Sequence, residues 1–92
     1  MNKADVLRSV VEEIASVLDK PISDIDPTMD LSDELGADSL DIMDIVHLLS
    51  DKFDVPLHRE DWTIFSNVTA EIIVNKICGL KVIEAQQSPK VA

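Results

Sequence analysis

Apolar residues recur at the helical period in three separate stretches of this 92-residue chain, with long polar segments between them. Leu7, Val10, Val11, Ile14, Val17 and Leu18 share one side of a helix, so residues 3–18 are predicted to form an amphipathic α-helix. In the second stretch Ile42, Ile45, Val46, Leu49 and Phe53 form a core stripe on a helix predicted to start after Asp38 and run to about Phe53. Asp38 is a good N-cap, and Asp41 three residues later can complete a capping box. Pro56 ends that segment. A short third helix carrying Trp62 is predicted from Arg59 to Phe65. A fourth is predicted from Val68 to about Val82, with Ile72, Ile73, Val74 and Ile77 apolar. Gly79 weakens its last turn, and residues 86–92 are expected to be a flexible tail beyond one domain over 1–85. Pro21 and Pro27 bracket a long acidic loop that Ile22, Ile25 and Leu31 are expected to pin to the core. The strand signal is weak throughout. The fold class is therefore all-α: a small four-helix bundle with a long loop between the first two helices and a short third helix.

The second helix carries more apolar surface than one buried stripe needs. Ser39, Leu40, Met43 and His47 fall on an adjacent arc, followed by Asp44 and Asp51. Leu40 and Met43 read either as ordinary partly buried residues or as a docking patch, apolar at its centre and rimmed by carboxylates.

Charge sharpens the second reading. The formal net charge is −10, which argues against nucleic acid and anionic membrane surfaces and favours basic protein partners. The acids are unevenly placed: Pro21 to Asp51 contains nine aspartates and glutamates and no lysine or arginine. The first apolar residues alternate with Asp5, Arg8, Glu12 and Glu13, unlike a secretory leader, and no stretch is long enough to span a bilayer. The single cysteine, Cys78, forms no internal disulfide and fits a reducing compartment, so a cytoplasmic monomer is expected.

Ser39 lies in the middle of this acidic span, in Leu35-Gly36-Ala37-Asp38-Ser39-Leu40-Asp41. It lacks the second glycine of a hydrolase nucleophile elbow. His47 is eight residues along the same helix, about 12 Å away at 1.5 Å per residue, too far to act as its base. Asp38 and Asp41 would raise the cost of an alkoxide. Nor do the acids form a calcium loop: with Asp24 first, Met29 stands where the sixth-position glycine is needed and Leu35 where the twelfth-position glutamate is needed. The remaining reading is that another enzyme modifies Ser39. A phosphodiester there would face free N–H groups and the positive end of the helix dipole.

The Leu35–Asp41 run, followed by Asp44-Ile45-Val46 and Lys52-Phe53-Asp54-Val55 and preceded by Asp30-Leu31-Ser32-Asp33-Glu34, resembles the acyl carrier proteins over nearly the whole chain. The resemblance implies a carrier, not an enzyme, with a 4′-phosphopantetheine arm on Ser39 installed from coenzyme A by a phosphopantetheinyl transferase. The arm's thiol would hold acyl groups for synthases, reductases and acyltransferases with basic docking patches. The docking face implied is Asp38, Leu40, Asp41, Met43, Asp44 and His47. An apolar slot for the acyl chain is expected around Trp62, Phe65, Ile72 and Ile73, and no metal or membrane insertion is expected. Cys78 is not the carrier thiol but a small residue on an apolar face. His47, Ser50 and Lys52 depart from the pattern of the housekeeping carrier of fatty-acid synthesis. Asp44-Ile45-Val46, Asp61-Trp62-Thr63 and the lengthened end with Lys76 and Cys78 look like the branch that carries very-long-chain hydroxylated fatty acids for lipid A. A D-alanyl, aminoacyl or polyketide carrier, or an unmodified acidic helical interaction module, stays open as an alternative.

Overall fold

The first apolar stripe is buried as a unit. In the computed structural model, which describes residues 2–57 and 68–91, with side chains as far as residue 80, helix α1 spans Lys3–Leu18 and buries Val6, Val10, Val11, Ile14 and Ala15. Asn2 caps its start, its side-chain oxygen accepting from the Asp5 N–H at 2.9 Å. The helix ends at Asp19 in the left-handed conformation (φ 55°), a geometry whose short polar side chain makes it tolerable for aspartate.

The acidic loop that follows is tied down at several points. A single 3-10 turn, Ile22–Asp24, follows Pro21. Ile25 and Leu31 are buried as expected, but Ile22 is 53% exposed. Ile25 leaves the turn in extended conformation (φ −108°, ψ 109°) and turns inward, while Ile22 stays on its outer side. Asp26 accepts from both the hydroxyl (2.6 Å) and the amide (2.8 Å) of Thr28, which hold its carboxyl below the usual aspartate value. Further along, the Leu31 N–H donates to the Val68 carbonyl at 2.8 Å and the Glu71 N–H to the Pro27 carbonyl at 3.0 Å. Asp30 and Thr69 form one isolated antiparallel bridge. The loop is thus stitched to the chain entering the last helix.

Helix α2 spans Ser39–Phe53 and buries Ile42, Ile45, Val46, Leu49 and Phe53, the stripe expected for it. Helix α3 spans Ala70–Val91 and corresponds to the fourth helix expected from the sequence. It does not stop near Val82: its backbone continues through Gly79 into the residues read as a tail. One glycine costs a helix only about 1 kcal/mol relative to alanine, too little to end it alone. Helix α1 packs against both α2 and α3, and Ala70, Ile73, Val74 and Ile77 complete the core. Lys52 on α2 reaches Glu13 on α1 at 3.5 Å, a partly exposed pair. The class is all-α, as expected; the short helix expected over Arg59–Phe65 lies outside the described residues. Among the described residues no helix is long and apolar enough to cross a membrane.

Adjacent isoleucines on α3 test this packing. Ile73 is fully buried and Ile72 is 45% exposed. Ile73→Ala should lower unfolding free energy by about 2–5 kcal/mol through lost burial and the cavity left behind. Ile72→Ala should cost less than about 1 kcal/mol. Urea denaturation of the two variants checks the contrast, and equal losses would contradict it.

Candidate functional site

The approach to α2 is a tight knot of backbone bonds. The Asp30 carbonyl accepts from the Glu34 and Leu35 amides, and its carboxylate accepts from Ser32 and Asp33 at 2.8 and 3.0 Å. Glu34 answers by accepting from the Asp30 N–H at 3.0 Å. Gly36 then adopts φ +76°, a left-handed turn that an L side chain adopts only with strain. The Ala37 N–H donates to the Leu31 carbonyl at 2.7 Å, and Leu31, Leu35 and Ala37 are all buried. The chain therefore reaches Asp38 from a fixed direction.

At Asp38 the capping box predicted from the sequence is present. The Asp38 carboxylate accepts from the Asp41 N–H at 2.8 Å, and the Asp41 carboxylate accepts from the Asp38 N–H at 3.1 Å. Ser39 occupies the first helical position and is exposed. The N–H groups of Ser39 and Leu40 have no intrahelical acceptor at that place, and they form the positive end of the helix dipole. An exposed hydroxyl beside two such donors fits a phosphodiester. The neighbouring carboxylates oppose it, but Asp38 and Asp41 each have one oxygen engaged with the backbone.

Among the described residues, no group near Ser39 activates it. His47 stands two turns along α2 and pairs instead with Asp51 at 3.5 Å, both side chains 75% exposed. His58 lies outside the described residues. Among the described residues there is no group of histidine, cysteine and acidic side chains able to hold a metal ion. The serine can be acted upon, but the described part of this chain does not supply the base.

The residues expected on the docking face differ in exposure. Leu40 is 67% exposed, Asp38, Asp44 and His47 are exposed, and Met43 and Asp41 are half-buried. Leu48, which was not expected on this face from the sequence, is 41% exposed. It stands four residues beyond Asp44 and eight beyond Leu40, so one ridge of α2 presents Leu40, Asp44 and Leu48 in a row. Extending the helical period one more turn would have found it. Two of the four residues expected to form the acyl slot are described. Ile73 is in the core, Ile72 is at the surface, and Trp62 and Phe65 lie outside the described residues. A groove of about 420 Å³ lies elsewhere, between Leu7, Pro27 and Val74. Cys78 is a free, half-buried thiol.

The fold and the site define an all-helical domain that presents an exposed serine at a capped helix start. Residues 8–71 match the family described as "Phosphopantetheine attachment site". The chain is 43% identical over 61 residues to an acyl carrier protein of Exiguobacterium sp. (strain ATCC BAA-1283 / AT1b), covering 66% of this chain and 77% of that relative. It is 42% identical over 60 residues to the acyl carrier protein of Exiguobacterium sibiricum, covering 65% of this chain and 76% of that one. The chain belongs to the acyl carrier protein family. It is accordingly a carrier and not an enzyme, its prosthetic group is 4′-phosphopantetheine, and a phosphopantetheinyl transferase and acyl-processing enzymes are the partners that family membership implies.

The two glycines should respond oppositely to a methyl group. A Cβ added at either position would meet no atom within 4 Å, so only the backbone decides. Gly36→Ala should destabilise by about 1–2 kcal/mol because φ is positive. Gly79→Ala, inside α3, should stabilise by about 0.5–1 kcal/mol. Thermal unfolding of both variants checks the signs.

Proposed function

We propose that Ser39 carries the 4′-phosphopantetheine arm, and that the protein holds acyl chains on it as thioesters for enzymes of fatty-acid or lipid synthesis. One observation supports this most: of the described serines in the matched span, Ser39 alone opens an α-helix, with its side chain exposed at a capped first turn. Installing the arm forms a bond from Ser39 Oγ to phosphorus and breaks the P–O–P bond of coenzyme A, releasing adenosine 3′,5′-bisphosphate. The serine proton goes to the transferase. When bound, the arm supplies the thiol. This chain's part is to hold the hydroxyl in the open and give the partner something to grip.

The grip proposed is Asp38, Leu40, Asp41, Met43, Asp44 and His47, extended by Leu48. Their exposure and the lack of any cation from Pro21 to Asp51 support a partner with a basic patch around an apolar centre. The proposed cargo is a fatty acyl chain, and within that class a very long hydroxylated chain of lipid A. The support is the resemblance of Asp44-Ile45-Val46, Asp61-Trp62-Thr63 and the lengthened end, which α3 continues to Val91. We take the carrier unit as 1–85, monomeric and cytoplasmic, in keeping with its strong net charge. D-alanyl, aminoacyl and polyketide carriers would use the same serine, and the mass of the cargo distinguishes them.

Incubation with coenzyme A and a phosphopantetheinyl transferase should add one phosphopantetheine to the wild type and none to Ser39→Ala, read as intact mass. Modification persisting in Ser39→Ala would remove the assignment. Asp44→Lys should raise the transferase's KM about fivefold at low ionic strength, with the effect shrinking as salt is added. For the cargo, each buried methylene stabilises by at most about 0.8 kcal/mol. The melting temperature should therefore rise with acyl length and then level off, with a shift in Trp62 emission. Acylated forms that melt with the unacylated form at unchanged emission would place the chain outside the bundle.

A further inference from the structure

The acids around Ser39 are not alike. Asp44 is exposed and makes no hydrogen bond or ion pair among the described residues, whereas Asp38 and Asp41 each bond the other's backbone amide. Asp41 is half-buried and sits one turn above the cap, so its Oδ2 pulls the Asp38 N–H into line while Asp38 Oδ1 holds the Asp41 N–H. Ser39 and Leu40 lie between those two clamps. The peptide groups that flank the Ser39–Leu40 segment, one ending at the Asp38 N–H and the other at the Asp41 N–H, are thereby fixed by two carboxylates acting as hydrogen-bond acceptors, a task that needs an oxygen and not a charge. The knot before it adds a third restraint, since Ala37, just upstream of the cap, is bonded to Leu31 at 2.7 Å.

We infer that Asp41 is a positioning residue for modification of Ser39: its carboxylate oxygen, through the Asp38 N–H, holds the first turn of α2 so that the serine hydroxyl is presented in one direction. The same side chain also contributes charge to the docking face, so two effects act through one residue, and kinetics can separate them. Charge acts on encounter and binding and is read in KM. Holding the nucleophile in line acts on the chemical step and is read in kcat. Asp44, with no bond to lose among the described residues, should show the first effect only.

This inference rests on Ser39 being the modified residue, and the experiment keeps the two apart. Wild type and Ser39→Ala come first: a wild type that is not modified, or a Ser39→Ala that is, defeats the assignment before Asp41 is considered. With the assignment standing, the transferase is assayed under saturating coenzyme A on Asp41→Asn, Asp41→Glu, Asp41→Ala and Asp44→Asn. Asparagine keeps an acceptor oxygen without the charge, glutamate keeps both, and alanine keeps neither. KM should rise by a similar factor, about two- to fivefold, in Asp41→Asn, Asp41→Ala and Asp44→Asn. kcat should stay within twofold of wild type in all except Asp41→Ala, where it should fall about tenfold, and Asp41→Glu should match wild type in both constants. A kcat in Asp41→Ala equal to that in Asp41→Asn would overturn the inference. Amide hydrogen exchange gives a second reading that does not depend on the alanine variant keeping its helix. The Asp38 amide should remain as protected in Asp41→Asn as in wild type, and loss of protection there would also overturn it.

Discussion

Leu31 is the point on which the placing of the site depends. Its side chain is fully buried, its N–H donates to Val68 at the approach to α3, and its carbonyl accepts from Ala37 at the approach to α2. One residue in the middle of a long loop therefore fixes where two helices begin. A buried peptide must satisfy both its donor and its acceptor, and here the two bonds run to different parts of the chain. The loop is long because it has to cross back and make this connection; most of its acids are exposed, while the half-buried Asp30 bonds the backbone and the apolar residues hold the loop to the core. Displacing Leu31 would release the orientation of Ser39 without touching any residue near it.

The helices were legible because their periodicity is strong and their caps are chemically distinct. Residues 3–18 and the start at Ser39 came directly from the spacing of valines, isoleucines and leucines and from Asp38 followed by Asp41. What the pattern did not reveal follows from geometry. Ile22 and Ile25 look equivalent in sequence, yet a 3-10 turn followed by extended backbone sends them to opposite sides. Ile72 and Ile73 are adjacent apolar residues on one helix, and a 100° step puts only Ile73 on the buried stripe. The overrun of α3 past Gly79 shows the weakness of a single glycine as a stop when neighbours favour helix. The stitch of Leu31 to Val68 left no sequence signal, because it is a backbone bond between residues far apart in the chain.

In the candidate site, the serine and its acids were legible and their division of labour was not. Read along the chain, Asp38, Asp41 and Asp44 form one acidic run. Among the described residues two of them are bound to the backbone and the third, Asp44, makes no such bond. Charge and hydrogen bonding coincide in a carboxylate, so sequence cannot separate a residue that attracts a partner from one that holds a turn. The distinction matters for a carrier. With Ser39 as the attachment site proposed above, partners that differ in chemistry would meet the same serine, so its presentation has to be a property of the carrier itself.

The same constraint explains why α2 keeps apolar side chains in water. Ile42, Ile45, Val46, Leu49 and Phe53 satisfy the need of the core, so Leu40 and Leu48 are not required for folding. Leaving them exposed favours self-association, and exposed leucines near each other are a liability in an ordinary small domain. The high negative charge counters that tendency, since two like-charged chains repel before their leucines meet. On the docking face proposed above, the field that keeps copies apart would draw in a basic partner, and Asp44, set between the two leucines, would attract a cation to the centre of the apolar ridge. Acidity and exposed leucine are thus complementary parts of one surface.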